Sequence, residues 1–195
     1  MVLDENVRRE IVAHAQVLFQ RYGMKKTTMD EIASSSGRAK STIYHYFKSK
    51  DDVFDAVLRK ELQDLRKHVK ALVDKEDSLC SKFETYLVEY HKEMVNKGNL
   101  YRLSQSDWFT GGAVSYKRFD YLRKFERDYI KRLLEDGIDT GEFTVLDRSE
   151  LDWFCEVMVA GFFGIVRYSL ESSEGSIDQD KLVKASKLFS SKLLT

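Results

Sequence analysis

The chain has 195 residues, 43 % of them hydrophobic and 33 % charged, with a formal net charge of zero. That balance excludes a disordered segment and a protein coated in positive charge, and the length suits one domain or two small ones. No run approaches the ~20 apolar residues of a membrane-spanning helix, and the N-terminus lacks a signal-peptide core, so a cytoplasmic, non-membrane protein is expected. Proline is absent, which is compatible with an almost wholly helical chain. Cys80 and Cys155 have no second sulfur or histidine at ligand spacing and read as small buried hydrophobes.

The charge is unevenly spread. Residues 1–50 carry a balance of +4 and the remainder −4, most of the positive excess lying between Arg21 and Lys50. Along that segment Val7, Ile11, Ala15, Leu18, Phe19 and Tyr22 recur at helical steps until Gly23 stops them. Thr28 predicts the N-cap of a short second helix, with Glu31 completing a capping box. A third helix is expected over Ala39–Phe47. Ser49 then caps a long fourth helix with Asp51 and Asp52 in its first turn, where the macrodipole favours them. Leu58, Leu62, Leu65, Val69 and Leu72 form its stripe.

Leu79, Phe83, Leu87, Tyr90 and Met94 mark a fifth helix, and Leu100 to Phe109 a shorter sixth, broken at Gly111-Gly112. The seventh, Ser115 to Asp136, has an apolar side with Phe119, Leu122, Phe125, Tyr129, Ile130 and Leu133. Its other side reads as a solvated face, basic but interspersed with Asp120, Glu126 and Asp128. Gly137 is expected to end it. The eighth, Arg148 to Ser172, is the most apolar, and a ninth runs from Asp178 to Leu193.

The stretch "MDEIASSSGRAKSTIYHYFKSK" asks for a closer look. On a helical wheel Tyr46 falls about 60° to one side of Ile43 and Phe47 about 40° to the other, so these three face inward. Ser41 and His45 point the opposite way, with Tyr44 and Lys48 beside them and Thr42 on the flank. Such an outer face suits a DNA major groove, where hydroxyls and imidazole meet base edges and lysine meets phosphate. Ala33 is small where the two helices cross, Gly37 sits in the turn, and Ile43 plugs the angle between them. That is the spacing of a helix-turn-helix.

The surrounding residues carry a family likeness. The Leu18-Phe19 pair, Gly23, Thr27-Thr28, Ile32-Ala33, Gly37, "STIYHYF" and "SKDDVF" together resemble the N-terminal domain of TetR-family transcriptional regulators over some 45 residues. Downstream only "GEF" at Gly141–Phe143 and Gly161 are similar. The resemblance implies an all-α, nine-helix homodimer with a DNA-binding domain at 1–50 and a ligand-binding and dimerisation domain at 51–195. It implies a repressor released from a near-palindromic operator by a small, largely apolar effector. The family's DNA contacts fall on Thr28 and Lys50 as phosphate anchors and on Lys40, Ser41, Thr42, Tyr44 and His45 as the recognition helix. Two departures stand out. Arg38 replaces an apolar residue and becomes a candidate DNA contact, and Ala39 is a poor N-cap.

For the effector, Tyr86, Tyr90, Tyr101, Trp108, Phe109, Phe125, Trp153 and Phe154 suggest an aromatic cavity, with His91 and Gln105 as polar members. Gly161 and Gly164 on the apolar eighth helix, with Leu182, Ala185 and Phe189 on the ninth, are the expected dimer surface. A crowded helix crossing inside one subunit is the alternative reading of the two glycines. No nucleophile elbow, HExxH, phosphate loop or CxxC is present, so no enzyme, metal or cofactor is expected. A helical ligand-binding or interaction protein without operator affinity remains the second hypothesis.

Overall fold

A computed structural model describes residues 4–97, 113–143, 147–171, 179–189 and 191. Its regular elements are helices: α1 (Glu5–Lys26), α2 (Met29–Ser35), α3 (Lys40–Tyr46), α4 (Lys50–Val73), α5 (Leu79–Asn96), α6 (Ala113–Asp139), α7 (Leu151–Glu171) and α8 (Gln179–Phe189). The helix expected over Leu100–Phe109 lies outside the described residues. Contacts divide the chain into two units within α4, one built from residues up to Asp64 together with Lys97, the other from Leu65–Asn96 and the later described residues.

In the first unit, local chemistry sets each boundary. Asp4 accepts from the Asn6 amide at the start of α1, and Gly23 breaks that helix at φ 79°, ψ 160°. The capping box forms as expected: Thr28 Oγ1 accepts from the Glu31 amide at 3.2 Å, and Glu31 accepts from the Thr28 amide at 2.7 Å. After α2, the Arg38 amide reaches Ala33 O and the Gly37 amide reaches Ser34 O. This paired closure puts Gly37 at φ 63°, where only glycine sits without strain. Ser49 and Asp52 exchange bonds at the start of α4.

Ile11, Ala15, Phe19, Ile32, Ile43, Val53 and Phe54 fill the core of this unit, with the Phe19 and Phe54 rings meeting edge to face at 5.1 Å. Glu61 is buried there too, accepting from the Gln16 and Gln20 side-chain amides.

The second unit is organised around α5, which packs on α6, α7 and α8. Phe83, Tyr86, Leu87, Tyr90, His91 and Met94 are all buried on it, a wide arc that suits a helix with three neighbours.

Gly137 does not stop α6, which continues to Asp139. Its amide O accepts from the Phe143 amide at 2.9 Å, and the buried Phe143 ring occupies the place of the missing side chain. The turn comes later, at Gly141 with φ 75°. Directly after Gly141, Glu142 accepts from the Leu79 and Cys80 amides at 3.0 and 2.8 Å, closing the N-terminus of α5. The "GEF" tripeptide therefore supplies a turn, a helix cap and a core side chain in succession.

Candidate DNA interface and effector cavity

Helix α3 buries Ile43 and Phe47 and leaves Tyr46 half-buried, as the wheel requires. Arg8 lies over the Phe47 ring at 5.2 Å, and Tyr46 Oη accepts from the Asp4 amide. With those three side chains committed inward, Ser41, Tyr44 and His45 stand exposed and Thr42 is half-buried. No side chain caps α3, because Ala39 has none to offer. Lys48 is exposed beyond the helix.

The remaining candidates have partners within the protein. Arg38 pairs with Glu10 at 2.6 Å, and Lys40 with Asp30 at 2.9 Å. The Asp30 carboxylate holds the Lys40 ammonium above its ordinary proton affinity. Lys50 is half-buried and donates to Thr27 O at 2.8 Å, so it ties α4 to the end of α1. Thr28 stands at the α2 N-terminus within its capping box.

In the second unit a cavity of about 430 Å³ opens among α4, α5 and α6. Val69, Val73, Leu79, Tyr129 and Leu133 give it apolar walls, and Tyr86 stacks on Tyr129 at 4.7 Å. Lys70, Asp74, Lys82, Arg132 and Asp136 complete the lining with charge. The polar part is Glu126, only 2 % exposed. It accepts from Arg66 Nε and Tyr90 Oη at 2.9 and 2.7 Å, and from Tyr86 Oη at short range. The Arg66 guanidinium lies 3.5 Å over the Phe125 ring. Burial pushes the Glu126 carboxyl above its ordinary range, against the pull of Arg66 and the two phenols. Burial likewise raises both tyrosines well above theirs.

Of the aromatic candidates, Tyr86, Tyr90 and Phe125 line this cavity. Tyr101, Gln105, Trp108 and Phe109 lie outside the described residues. His91 is buried elsewhere, with Nε2 2.9 Å from Ser169 Oγ. Trp153 is exposed and Phe154 half-buried on α7, and neither lines the cavity.

Placing Glu126 on a solvated face was wrong: it is buried and bonded to α4 and α5. Its signal was present, since it stands four and seven residues before the buried Ile130 and Leu133 on one helical stripe. Arg66 and Tyr129 were also missed.

On α7, Gly161 and Gly164 are exposed, and a Cβ at either would meet nothing within 4 Å among the described residues. They lie on a stripe with the exposed Trp153, Val157, Ile165 and Tyr168. Ala185 is exposed on α8, Leu182 is buried within the subunit, and the Phe189 side chain is not among those described. No cluster of potential metal ligands occurs among the described residues.

The family model described as "Bacterial regulatory proteins, tetR family" matches residues 11–57, spanning the capping box, the Gly37 turn and α3. Over those residues the chain carries the DNA-binding region of the TetR family. It is a DNA-binding transcriptional regulator with the family's all-helical fold.

The regulator is 26 % identical over 189 residues to the helix-turn-helix transcriptional regulator YfiR of Bacillus subtilis, covering 92 % of this chain and 88 % of that one. It is 26 % identical to the transcriptional repressor KstR2 of Rhodococcus jostii, covering 74 % and 70 %. Among solved structures, FadR from Bacillus subtilis in complex with stearoyl-CoA superposes with a TM-score of 0.70 at 16 % identity, covering 96 % and 99 %. No described helix is long and apolar enough to cross a membrane.

Proposed function

We propose that this regulator is a cytoplasmic homodimeric repressor that leaves its operator when a small, largely apolar effector enters the cavity beside Glu126. The observation that carries the reading is a division of labour along one helix. Its first residue, Lys50, is bonded to the end of α1, and its later residues Arg66, Val69 and Val73 line the cavity. No glycine or proline interrupts α4, so a displacement at the cavity end is transmitted along it instead of being absorbed. In this reading residues 1–50 read DNA, and residues 51–195 bind effector and dimerise.

Support for DNA reading comes from the exposed Ser41, Tyr44 and His45 on a helix whose inner face is anchored, and from the relative named as a repressor. Support for an apolar effector comes from the cavity walls and from the structural neighbour that holds stearoyl-CoA. Support for a two-fold dimer comes from the exposed apolar stripe on α7, too extensive for a comfortable monomer surface. Each subunit would then place α3 in a major groove, with half-sites ~34–36 Å or a multiple of that apart.

The deciding experiment is fluorescence-anisotropy titration of the protein with DNA from upstream of its own gene and with an unrelated duplex, at several salt concentrations. Preference for the upstream DNA, lost in a Ser41→Ala/Tyr44→Ala/His45→Ala variant, is expected. Equal binding by that variant and the wild type overturns the reading.

A further inference from the structure

The cavity's polar network is asymmetric, and that asymmetry selects a ligand charge. Glu126 is buried with Arg66 from α4 and Tyr86 and Tyr90 from α5, while Phe162 of α7 packs on the Tyr90 ring at 5.3 Å. A charged ligand reaching this end must take one member of the ion pair from the other. The member left behind is then buried without its counter-charge, which is costly unless it can lose its own charge. A guanidinium cannot give up its proton in a protein, whereas a carboxylate can accept one. A cationic ligand pairing with Glu126 would strand Arg66. An anionic ligand pairing with Arg66 leaves Glu126 a way out.

We propose that the effector carries a single anionic group on an apolar body, and that it replaces the Glu126 carboxylate at Arg66 while Glu126 takes up one proton from solvent. Neutral Glu126 keeps an oxygen for the tyrosine hydroxyls and directs its new O–H to the incoming anion. The ligand charge is therefore met by a guanidinium and a carboxylic acid together, a pair of charge-assisted hydrogen bonds. Burial has already moved the Glu126 carboxyl in the direction this exchange needs. Beside the Arg66–Glu126 pair the lining carries Lys70, Lys82 and Arg132 against Asp74 and Asp136, an excess of one positive charge that favours an anion's entry. The apolar walls hold the body of the molecule. The exchange also parts α4 from α6, since Arg66–Glu126 is an ion pair between them. That gives the effector its hold on α4, and in this respect the inference rests on the proposed function.

The test uses the full chain and three probes of one length and different charge: decanoate, decan-1-ol and decylammonium. Calorimetry at pH 7 in two buffers of different ionisation enthalpy reads affinity and proton uptake together. Decanoate is expected to bind about tenfold or more tighter than the other two, with about one proton taken up per ligand bound. Glu126→Gln, which imitates the protonated acid, should bind decanoate at least as tightly with no uptake. Arg66→Gln should lose the preference for the anion.

The wild-type measurements decide the matter even if a variant is unstable. A preference for the amine or the alcohol, decanoate binding without proton uptake, or binding of none of the three overturns the proposal. Operator binding measured without ligand is unaffected by any of these results, so failure here is separable from failure of the repressor reading.

Discussion

Gly137 and Phe143 share one space: a Cβ on Gly137 would lie 1.9 Å from the Phe143 ring, inside a helix that otherwise has no need of glycine. Alanine is the better helix former by ~1 kcal/mol, yet Gly137→Ala is expected to destabilise. The ring must leave a site where it is 2 % exposed, and forced overpacking costs about 1–3 kcal/mol. Urea denaturation of the variant should show a lowered midpoint, and Gly137→Ala/Phe143→Leu should recover part of the loss.

Glu142 closes the α5 N-terminus from 62 and 63 residues away in sequence. Glu142→Ala leaves two amides without that carboxylate and should cost about 0.5–2 kcal/mol, the range of a lost cap. Glu142→Gln retains an acceptor oxygen and should lose less. Thermal unfolding of the two variants side by side checks the order.

Proton linkage at His91 has a definite sign. Burial lowers its pKa below the ordinary 6.5, so the unfolded chain binds the proton first as pH falls. Stability is therefore full above about pH 6.5, declines as pH drops through the interval between the two values, and levels off once the folded imidazole is charged. The decline is limited to ~1.4 kcal/mol per pH unit for a single proton. Melting temperatures from pH 7.5 to 5 should fall more steeply for the wild type than for His91→Gln. Equal slopes would show that the Ser169-bonded ring is not the group responsible.

At the proposed DNA interface the lysines separate by their surroundings. Lys48 is exposed, so Lys48→Ala should weaken operator and unrelated DNA alike and flatten the log–log salt slope by about 0.9. Lys50 bonds Thr27 O, so Lys50→Ala should also lower the melting temperature of the free protein. His45→Ala should instead cost about 1–3 kcal/mol on operator only. Anisotropy titrations across salt, with melts of the free variants, distinguish the three.

The N-terminal half was legible because its determinants are local. Thr28 with Glu31, Gly37 after Ala33, and Ser49 with Asp52 each act within five residues, and the structure forms every one. The second half depends on partners distant in sequence. Gly137 followed by polar residues has the form of a helix stop, and nothing within one turn announces that Phe143 will fold back onto it. Glu126 sits among charges, and only its register with Ile130 and Leu133 marks it as buried. Arg66, 60 residues earlier, carries no local sign of its partner. Tyr86, Tyr90 and Phe125 fall on the cavity because large aromatics near an apolar stripe are good candidates in any register, whereas Trp153 met the same criterion and lies elsewhere, as does the polar candidate His91.

The pairing of Arg38 with Glu10 and Lys40 with Asp30 has a consequence for life on a chromosome. Any duplex offers phosphates, and a regulator must find one site among millions of indifferent ones. If Arg38 and Lys40 contact DNA as proposed, each meets an acidic rival first, so each indifferent encounter must break a contact the protein already has. In the proposed mode of binding, a cognate site offsets that loss through base edges presented to Ser41 and His45. Random sequence cannot, and the protein lets go of it sooner. Neutralising the rivals with Glu10→Gln and Asp30→Asn should therefore tighten binding everywhere while narrowing the margin between operator and background. The two carboxylates would act as the brake that keeps the search moving.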